Sequence, residues 1–135
     1  MAYRVYLVDY DRFLLDLYAV KFKDAGHETS VFSDGEELLT ALRKEGAVSP
    51  DVILLDLIMP GMSGFEVLET MRKEHLAKDA KVVILSNQGQ DSDIERAKQL
   101  SVDGYIIKAS AIPSEVLAQT LSTIESGAAK ASGAR

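Results

Sequence analysis

The chain of 135 residues contains no cysteine, only two histidines and three prolines. Without cysteine there are no disulfides and no thiolate-bound zinc or iron–sulfur clusters, which is in keeping with a reducing compartment. His27 and His75 are far apart in the sequence, so we expect both to be ordinary surface residues. No apolar run approaches the ~18 residues of a membrane span, and the N-terminus lacks a signal-peptide pattern. These absences predict a cytoplasmic protein without a membrane partner.

Positive charge is scarce as well, with 15 Lys and Arg residues against 21 Asp and Glu, a formal net charge of −6. Direct binding of DNA or RNA normally requires a basic surface, so this balance argues against nucleic acid as a partner. The hydrophobic share of 47% and the charged share of 27% are typical of a folded globular domain. The length predicts one such domain.

Five short apolar segments alternate along the chain with helical patterns. The segments predicted as strands are 5–8, 29–32, 52–55, 82–85 and 105–107. Three of them are nearly continuous aliphatic blocks, which is typical of parallel strands covered on both faces. Helical spacing follows each segment, and capping patterns at 33–36, 63–66 and 92–95 predict where three helices begin. Five successive βα units predict an α/β fold with a doubly wound, mostly parallel five-stranded sheet.

No repeat of fixed period and no linker divides the sequence. We therefore expect one domain over residues 1–126. Residues 127–135 lack large apolar side chains and are predicted to form a disordered tail.

Reactive residue types stand where four of the predicted strands end. Asp9 follows strand 1, Asp56 strand 3, Ser86 strand 4 and Lys108 strand 5. Each alone has an ordinary interpretation as a turn or surface residue, but ligands of open α/β sheets bind beyond these strand ends. Together the four favour transfer of a phosphoryl group to a carboxylate. Magnesium would offset the charge repulsion, while the lysine and the hydroxyl would contact the transferring oxygens.

The segment from Val52 to Gly64, with Asp56 at the end of its strand and Pro60 after it, resembles the phosphorylation segment of a known family. This family is the receiver domains of bacterial two-component response regulators, and the resemblance covers residues 3–126. It implies a flavodoxin-like fold with strand order 2-1-3-4-5. It also implies signalling rather than conventional enzyme activity, with a histidine kinase or phosphotransfer protein as phosphodonor and an unidentified downstream protein partner.

The same resemblance implies a role for each of the strand-end residues. Asp56 would be the phosphoacceptor, Lys108 the lysine that contacts the phosphoryl group, Ser86 the switch hydroxyl and Tyr105 the switch aromatic residue. Ser86 ends strand 4 and Tyr105 begins strand 5, so a hydroxyl drawn towards a phosphoryl oxygen would vacate space for the ring.

Magnesium, according to the resemblance, would be held by Asp9, Asp56 and the main-chain carbonyl of Ile58. Receivers carry a second acidic residue after strand 1 as the principal direct ligand, but Tyr10 occupies that position here. A phenol is a poor magnesium ligand and is bulky enough to fill the cavity, so we expect impaired magnesium handling. Asp11 is a substitute ligand or, as we favour, a residue that begins helix 1.

Two further departures from the family pattern concern the loop after strand 5 and the end of the chain. Lys108 is followed by Ala109 instead of the usual proline in a cis peptide bond. A non-proline cis bond costs about 2.5–4 kcal/mol, so this loop is either strained or trans. No output domain follows in the sequence, which predicts action through another molecule.

Two other functions remain open. In the first, Tyr10 blocks magnesium and the chain is a pseudo-receiver that binds partners without phosphorylation. In the second, the chain is a haloacid-dehalogenase-type phosphatase with Asp9 as nucleophile and Asp11 as general acid. The phosphatase hypothesis requires a cap or a longer core and leaves the segment around Asp56 unexplained.

Overall fold

The computed structural model describes residues 2–44, 46, 48–87, 90–108 and 111–131, with side chains of the last helix described to residue 125. Five strands and five helices alternate within these residues. The strands are β1 (Arg4–Val8), β2 (Glu28–Phe32), β3 (Val52–Asp56), β4 (Lys81–Ser86) and β5 (Gly104–Ile107). The helices are α1 (Arg12–Asp24), α2 (Gly35–Arg43), α3 (Gly64–Lys73), α4 (Asp91–Gln99) and α5 (Pro113–Ala131).

The strands form one parallel sheet in the order β2-β1-β3-β4-β5, which confirms the predicted fold class. The chain starts in β1, moves to β2 at one edge, and returns past β1 to build β3, β4 and β5. The strand order therefore reverses between β1 and β3, the point at which open α/β sheets bind ligands.

Successive side chains of a strand point to opposite faces of the sheet. Both faces are covered by apolar residues, which form one core cluster on each side. On one face Val52 and Leu54 of β3 pack with buried residues of α1 and α5. On the other face Ile53 and Leu55 pack with α2, α3 and Ala97 of α4. All five residues of β3 are buried, which is why its sequence shows no polar alternation.

Three helices begin with a side-chain cap. Asp11 accepts a hydrogen bond from the backbone N–H of Leu14 at the start of α1, and Asp34 caps α2 in the same way. Ser63 and Glu66 form the predicted capping box of α3. The predicted caps of α2 and α4 were wrong in detail. The N-cap of α2 is Asp34 and not Ser33, while α4 begins at Asp91 and its N-cap, Gln90, makes no side-chain cap bond.

Three expectations from the sequence concern His27, the end of the domain and the Lys108–Ala109 bond. His27 is buried, where a surface position was expected, because its Nδ1 accepts the Tyr3 backbone N–H at 3.0 Å and its ring stacks on Tyr3. Helix α5 continues to Ala131, five residues past the expected domain end, through an alanine-rich stretch of high helix propensity. The last four residues and the Lys108–Ala109 bond lie outside the described residues.

Candidate functional site

The structure brings the four strand-end residues to one edge of the sheet. Asp56 and Ser86 are the last residues of β3 and β4, while Asp9 and Lys108 directly follow β1 and β5. Parallel strands in register place their carboxyl ends side by side, which explains why residues so distant in sequence meet here. Asp9, Asp56 and Ser86 are buried.

Lys108 bridges the two buried carboxylates. Its Nζ lies 2.7 Å from Asp9 Oδ2 and 3.5 Å from Asp56 Oδ1. The side chains of Asp9 and Lys108 are only 2% and 6% exposed, so their attraction is weakly screened by water. The other oxygen of Asp9, Oδ1, accepts the backbone N–H of Asp11 at 2.9 Å. One ammonium group faces two carboxylates, which leaves the ionised pocket with a net negative charge.

The pKa of Asp56 is raised to about 6. Burial is the largest cause, and the negative charge of Asp9 adds to it. Lys108 and the backbone N–H of Ile58 act in the opposite direction, while a side-chain hydrogen bond with Asp9 favours the protonated form. The carboxyl group of Asp56 is therefore mostly ionised above pH ~6 and mostly protonated below it.

Ser86 and Tyr105 lie beside this pocket on neighbouring strands. Their side chains are hydrogen-bonded to each other, and Ile84 of β4 is the register partner of Tyr105 on β5. Burial raises the pKa of Tyr105, an effect that the Ser86 hydrogen bond opposes. The Ser86 hydroxyl, which the resemblance assigns to a phosphoryl oxygen, is thus hydrogen-bonded to the hydroxyl group of Tyr105, the residue assigned to the switch.

Tyr10 is one of the residues that line the cavity next to Asp9 and Asp56. The cavity at the strand ends has a volume of about 170 Å³, and its lining includes Asp9, Tyr10, Asp56, Ile58 and Lys108. The expectation that the phenol fills this cavity was wrong, because the Tyr10 side chain faces solvent and is 59% exposed.

Asp11, the alternative magnesium ligand considered above, caps helix α1. Its carboxylate accepts the Leu14 backbone N–H at 3.2 Å as the N-cap of α1. This arrangement agrees with the favoured interpretation that Asp11 begins helix 1.

Two residues near the site were missed from the sequence. Asn87 lines the cavity, and its position directly after Ser86 at a strand end was the available signal. Tyr18 of α1 is buried, and burial together with Asp9, Asp11 and Asp56 raises its pKa to about 12. Tyr18 carried no distinguishing signal, since its helical spacing is that of any core residue.

Helix α3 fixes the backbone around Asp56. The N–H of Gly64 donates to the carbonyl of Leu57 at 2.8 Å, and a Cβ at Gly64 would collide with the carbonyl oxygen of Asp56. Only glycine permits this approach, so Gly64 sets the distance between α3 and the end of β3.

The donor set suits Mg²⁺, which is commonly bound through one or two carboxylates, retained water and substrate phosphate. Asp9 Oδ2 is buried, and apart from the Lys108 ammonium group it has no described hydrogen-bond donor. Within the described ranges no group of three or more His, Cys, Asp or Glu side chains is arranged to hold a metal. Of the residues predicted to hold magnesium, Asp9, Asp56 and Ile58 all line the same cavity.

The five βα units and the strand order define the fold class, which is flavodoxin-like. Residues 5–121 match the model of the response regulator receiver domain, and the chain belongs to this family. Receiver domains of two-component response regulators are signalling modules that interact with histidine kinases and downstream effectors. No helix in the described part of the chain is long and apolar enough to cross a membrane.

The chain is similar to the DNA-binding response regulator MtrA of Mycolicibacterium paratuberculosis, with 32% identity over 108 residues that cover 80% of this chain and 45% of MtrA. It therefore spans less than half the length of this relative. The chemotaxis response regulator CheY4 of Vibrio cholerae superposes with a TM-score of 0.80 at 26% identity, over 92% of this chain and 99% of that chain. TrrA of Thermotoga maritima, solved in complex with Mg²⁺-BeF, superposes with a TM-score of 0.73 at 27% identity and the same coverage.

Proposed function

We propose that this chain is a phosphoacceptor of a two-component phosphorelay, phosphorylated on Asp56 by a histidine kinase or a phosphotransfer protein. The observation that carries the proposal is the buried Asp56 carboxylate with the Lys108 ammonium group 3.5 Å away and Asp9 beside it. We place this exchange in the cytoplasm, a reducing compartment that suits a chain without cysteine.

In the proposed reaction an oxygen of ionised Asp56 attacks the phosphorus of the donor. The new bond is an acyl phosphate, and the bond between phosphorus and the donor nitrogen breaks, with its electron pair leaving on the donor. Lys108 already contacts Asp9 and needs only a small side-chain movement to pair with the phosphoryl oxygens. Ser86 then donates a hydrogen bond from its hydroxyl to a further oxygen of the phosphoryl group. This new bond replaces the hydrogen bond between Ser86 and Tyr105.

Receiver domains generally depend on Mg²⁺, and here Asp9, Asp56 and the Ile58 carbonyl would hold it. When bound, the ion neutralises part of the repulsion between the carboxylates and the phosphoryl group. Tyr10 contributes no carboxylate, and the Asp11 carboxylate caps α1. We therefore propose that this chain binds Mg²⁺ more weakly than a receiver with an acidic residue at position 10.

The test of the acceptor is phosphorylation by a small-molecule phosphodonor with Mg²⁺, followed by mass spectrometry of the intact chain. We expect one added phosphoryl group that is stable in acid, labile in base and absent in Asp56→Asn. A phosphoryl group that persists in Asp56→Asn contradicts the proposal. If peptide mapping places it on Asp9, the phosphatase hypothesis is favoured instead.

A second candidate function is a pseudo-receiver that binds its partner without phosphorylation. The replacement of an acidic ligand by Tyr10, together with the Lys108–Asp9 ion pair that already occupies Oδ2, favours it. One binding experiment distinguishes the two functions. Partner binding by a pseudo-receiver is the same for the wild type and Asp56→Asn with and without phosphodonor, whereas binding by a phosphoacceptor responds to the donor in the wild type alone.

A further inference from the structure

Helix α4 has little apolar packing of its own. It buries only Ala97 completely, whereas the adjacent α3 buries Phe65, Val67 and Leu68 among others. Its N-cap residue Gln90 makes no side-chain hydrogen bond to the first turn. Since most helical stability in proteins comes from a packed apolar face, the N-terminal half of α4 depends on other contacts to hold its position.

The C-terminal end of α4 is attached to α3 by one arginine. Arg72 donates its Nε to the carbonyl of Leu100 at 3.0 Å and its Nη2 to the carbonyl of Ser101 at 3.2 Å. These bonds occupy carbonyls at the helix end, which otherwise lack partners. These hydrogen bonds hold the C-terminal end of α4, so the position of its N-terminal end depends on other contacts.

Arg96 supplies the contact in the body of the helix. Its guanidinium carbon lies 4.5 Å from the centre of the Phe65 ring, and its Nη2 donates to Glu69 Oε2 at 2.9 Å. Both partners belong to α3, and Phe65 follows Gly64, the residue packed against the backbone of Asp56. A planar guanidinium can stack on a ring and pair with a carboxylate at the same time, which a lysine cannot do equally well.

We propose that Arg96 is a clasp that holds α4 against α3 in the unphosphorylated state and thereby opposes activation. The second half of this proposal rests on the proposed function. Helix α4 begins five residues after Ser86. In this proposal a rearrangement of Ser86 and Tyr105 on phosphorylation moves the N-terminal end of α4, while Arg72 retains the other end. The displacement breaks the Arg96 contacts. Any interaction present only in the resting state lowers the population of the activated one.

The clasp itself is tested by amide hydrogen exchange of the full, unphosphorylated chain. In Arg96→Ala we expect the α4 amides to exchange about three- to tenfold faster, the effect of losing one cation–π contact and one surface ion pair. Arg96→Lys retains the charge and falls between. Arg43→Ala is the matched control, because it removes the 2.7 Å ion pair between Arg43 of α2 and Glu74, the C-cap of α3, and leaves α4 exchange unchanged. Unchanged α4 exchange in Arg96→Ala, or an equal increase in Arg43→Ala, overturns the proposal.

Opposition to activation is tested by titration with beryllium fluoride and Mg²⁺, a mimic of the phosphoryl group. We expect Arg96→Ala to bind the mimic about three- to tenfold more tightly than the wild type, since the bound state no longer breaks the clasp. Equal affinity combined with faster α4 exchange refutes the regulatory half. If the wild type does not bind the mimic, the proposed function fails together with that half, while exchange still decides whether Arg96 holds α4.

Discussion

At the scale of single residues, Tyr10 is the position where this chain departs from the receiver pattern. Its ring is exposed, so Tyr10→Asp opens no cavity in the core. A third carboxylate next to Asp9 and Asp56 attracts a divalent cation but repels the other two in its absence. We expect Tyr10→Asp to tighten Mg²⁺ binding and to lower the metal-free stability by about 0.2–1 kcal/mol, the range of exposed charge pairs.

Calorimetric titration with Mg²⁺ and a melting scan in chelator measure the two effects separately. Tyr10→Asn is the matched control, since it has the size of the aspartate variant without its charge. If Tyr10→Asp leaves the Mg²⁺ affinity unchanged, Asp11 or a main-chain oxygen already completes the site. The claim of impaired magnesium handling is then wrong.

A second residue, Thr120 of α5, is fully buried, and its hydroxyl oxygen has no hydrogen-bond partner among the described residues. Burying a hydroxyl without a partner costs about 1–3 kcal/mol. Thr120→Val, which keeps the shape and removes the hydroxyl, should therefore raise the free energy of unfolding by about 1 kcal/mol. Chemical denaturation measures it, with Thr123→Val as the control. The hydroxyl of Thr123 donates to the carbonyl of Gln119 at 2.9 Å, so this change should not stabilise; equal gains in both variants contradict the argument.

At the scale of elements, the contact between α3 and β3 determines the geometry around the phosphoacceptor. Gly64→Ala places a methyl group against the backbone of Asp56 and Leu57, neither of which can turn away as a side chain can. We expect a loss of about 1–3 kcal/mol in stability, the usual cost of overpacking, and slower phosphorylation of the folded protein.

Gly61→Ala separates backbone strain from displacement of the site. Gly61 has a φ of +80°, but a Cβ there meets no neighbouring atom. This variant should lose about 1–2 kcal/mol through the left-handed conformation alone and keep its phosphorylation rate. Rates are measured on protein shown to be folded by circular dichroism. Equal rates in Gly64→Ala and Gly61→Ala would show that α3 does not position Asp56.

The elements themselves were largely predictable, because their signals are local. The aliphatic blocks of β3 and β4 predict buried parallel strands, and Ser63 with Glu66 predicts the start of α3. The start of α4 was missed, since Ser92 and Glu95 imitate a capping box inside the first turn of a polar helix. Burial of His27 was missed because it results from the pairing of β1 with β2 and from the Tyr3 backbone, both distant in sequence.

At the scale of the whole molecule, the parallel sheet brings residues that are distant in sequence together, because its strands all end at the same edge. Because the βα order alone places the carboxyl ends of all strands at one edge of the sheet, the sequence predicts that Asp9, Asp56, Ser86 and Lys108 lie at that edge. Which of them touch was not predictable. The 2.7 Å contact of Lys108 with Asp9, shorter than its 3.5 Å contact with Asp56, depends on register and side-chain conformation. The outward direction of the Tyr10 ring likewise depends on how α1 starts after Asp11.

Stability of the whole domain should depend on pH through Asp56. Its pKa is raised from 3.8 to about 6 in the folded protein, chiefly by burial and then by Asp9. The folded state thus binds more protons than the unfolded state between these values. The stabilising contribution of Asp56 is fully present below pH ~4 and is lost as the pH rises through ~6.

Above pH 6 the ionised Asp56 carboxylate consequently destabilises the fold, and Asp56→Asn removes that charge. We expect this variant to be more stable than the wild type by about 1–3 kcal/mol at pH 7.5, and the difference to shrink towards pH 4. Denaturation across this pH range measures it, with Asp16→Asn, a change of an exposed carboxyl group on α1, as the control. A difference between Asp56→Asn and the wild type that does not vary with pH would mean that Asp56 has its ordinary pKa, and that the Lys108 ammonium group compensates fully for burial beside Asp9.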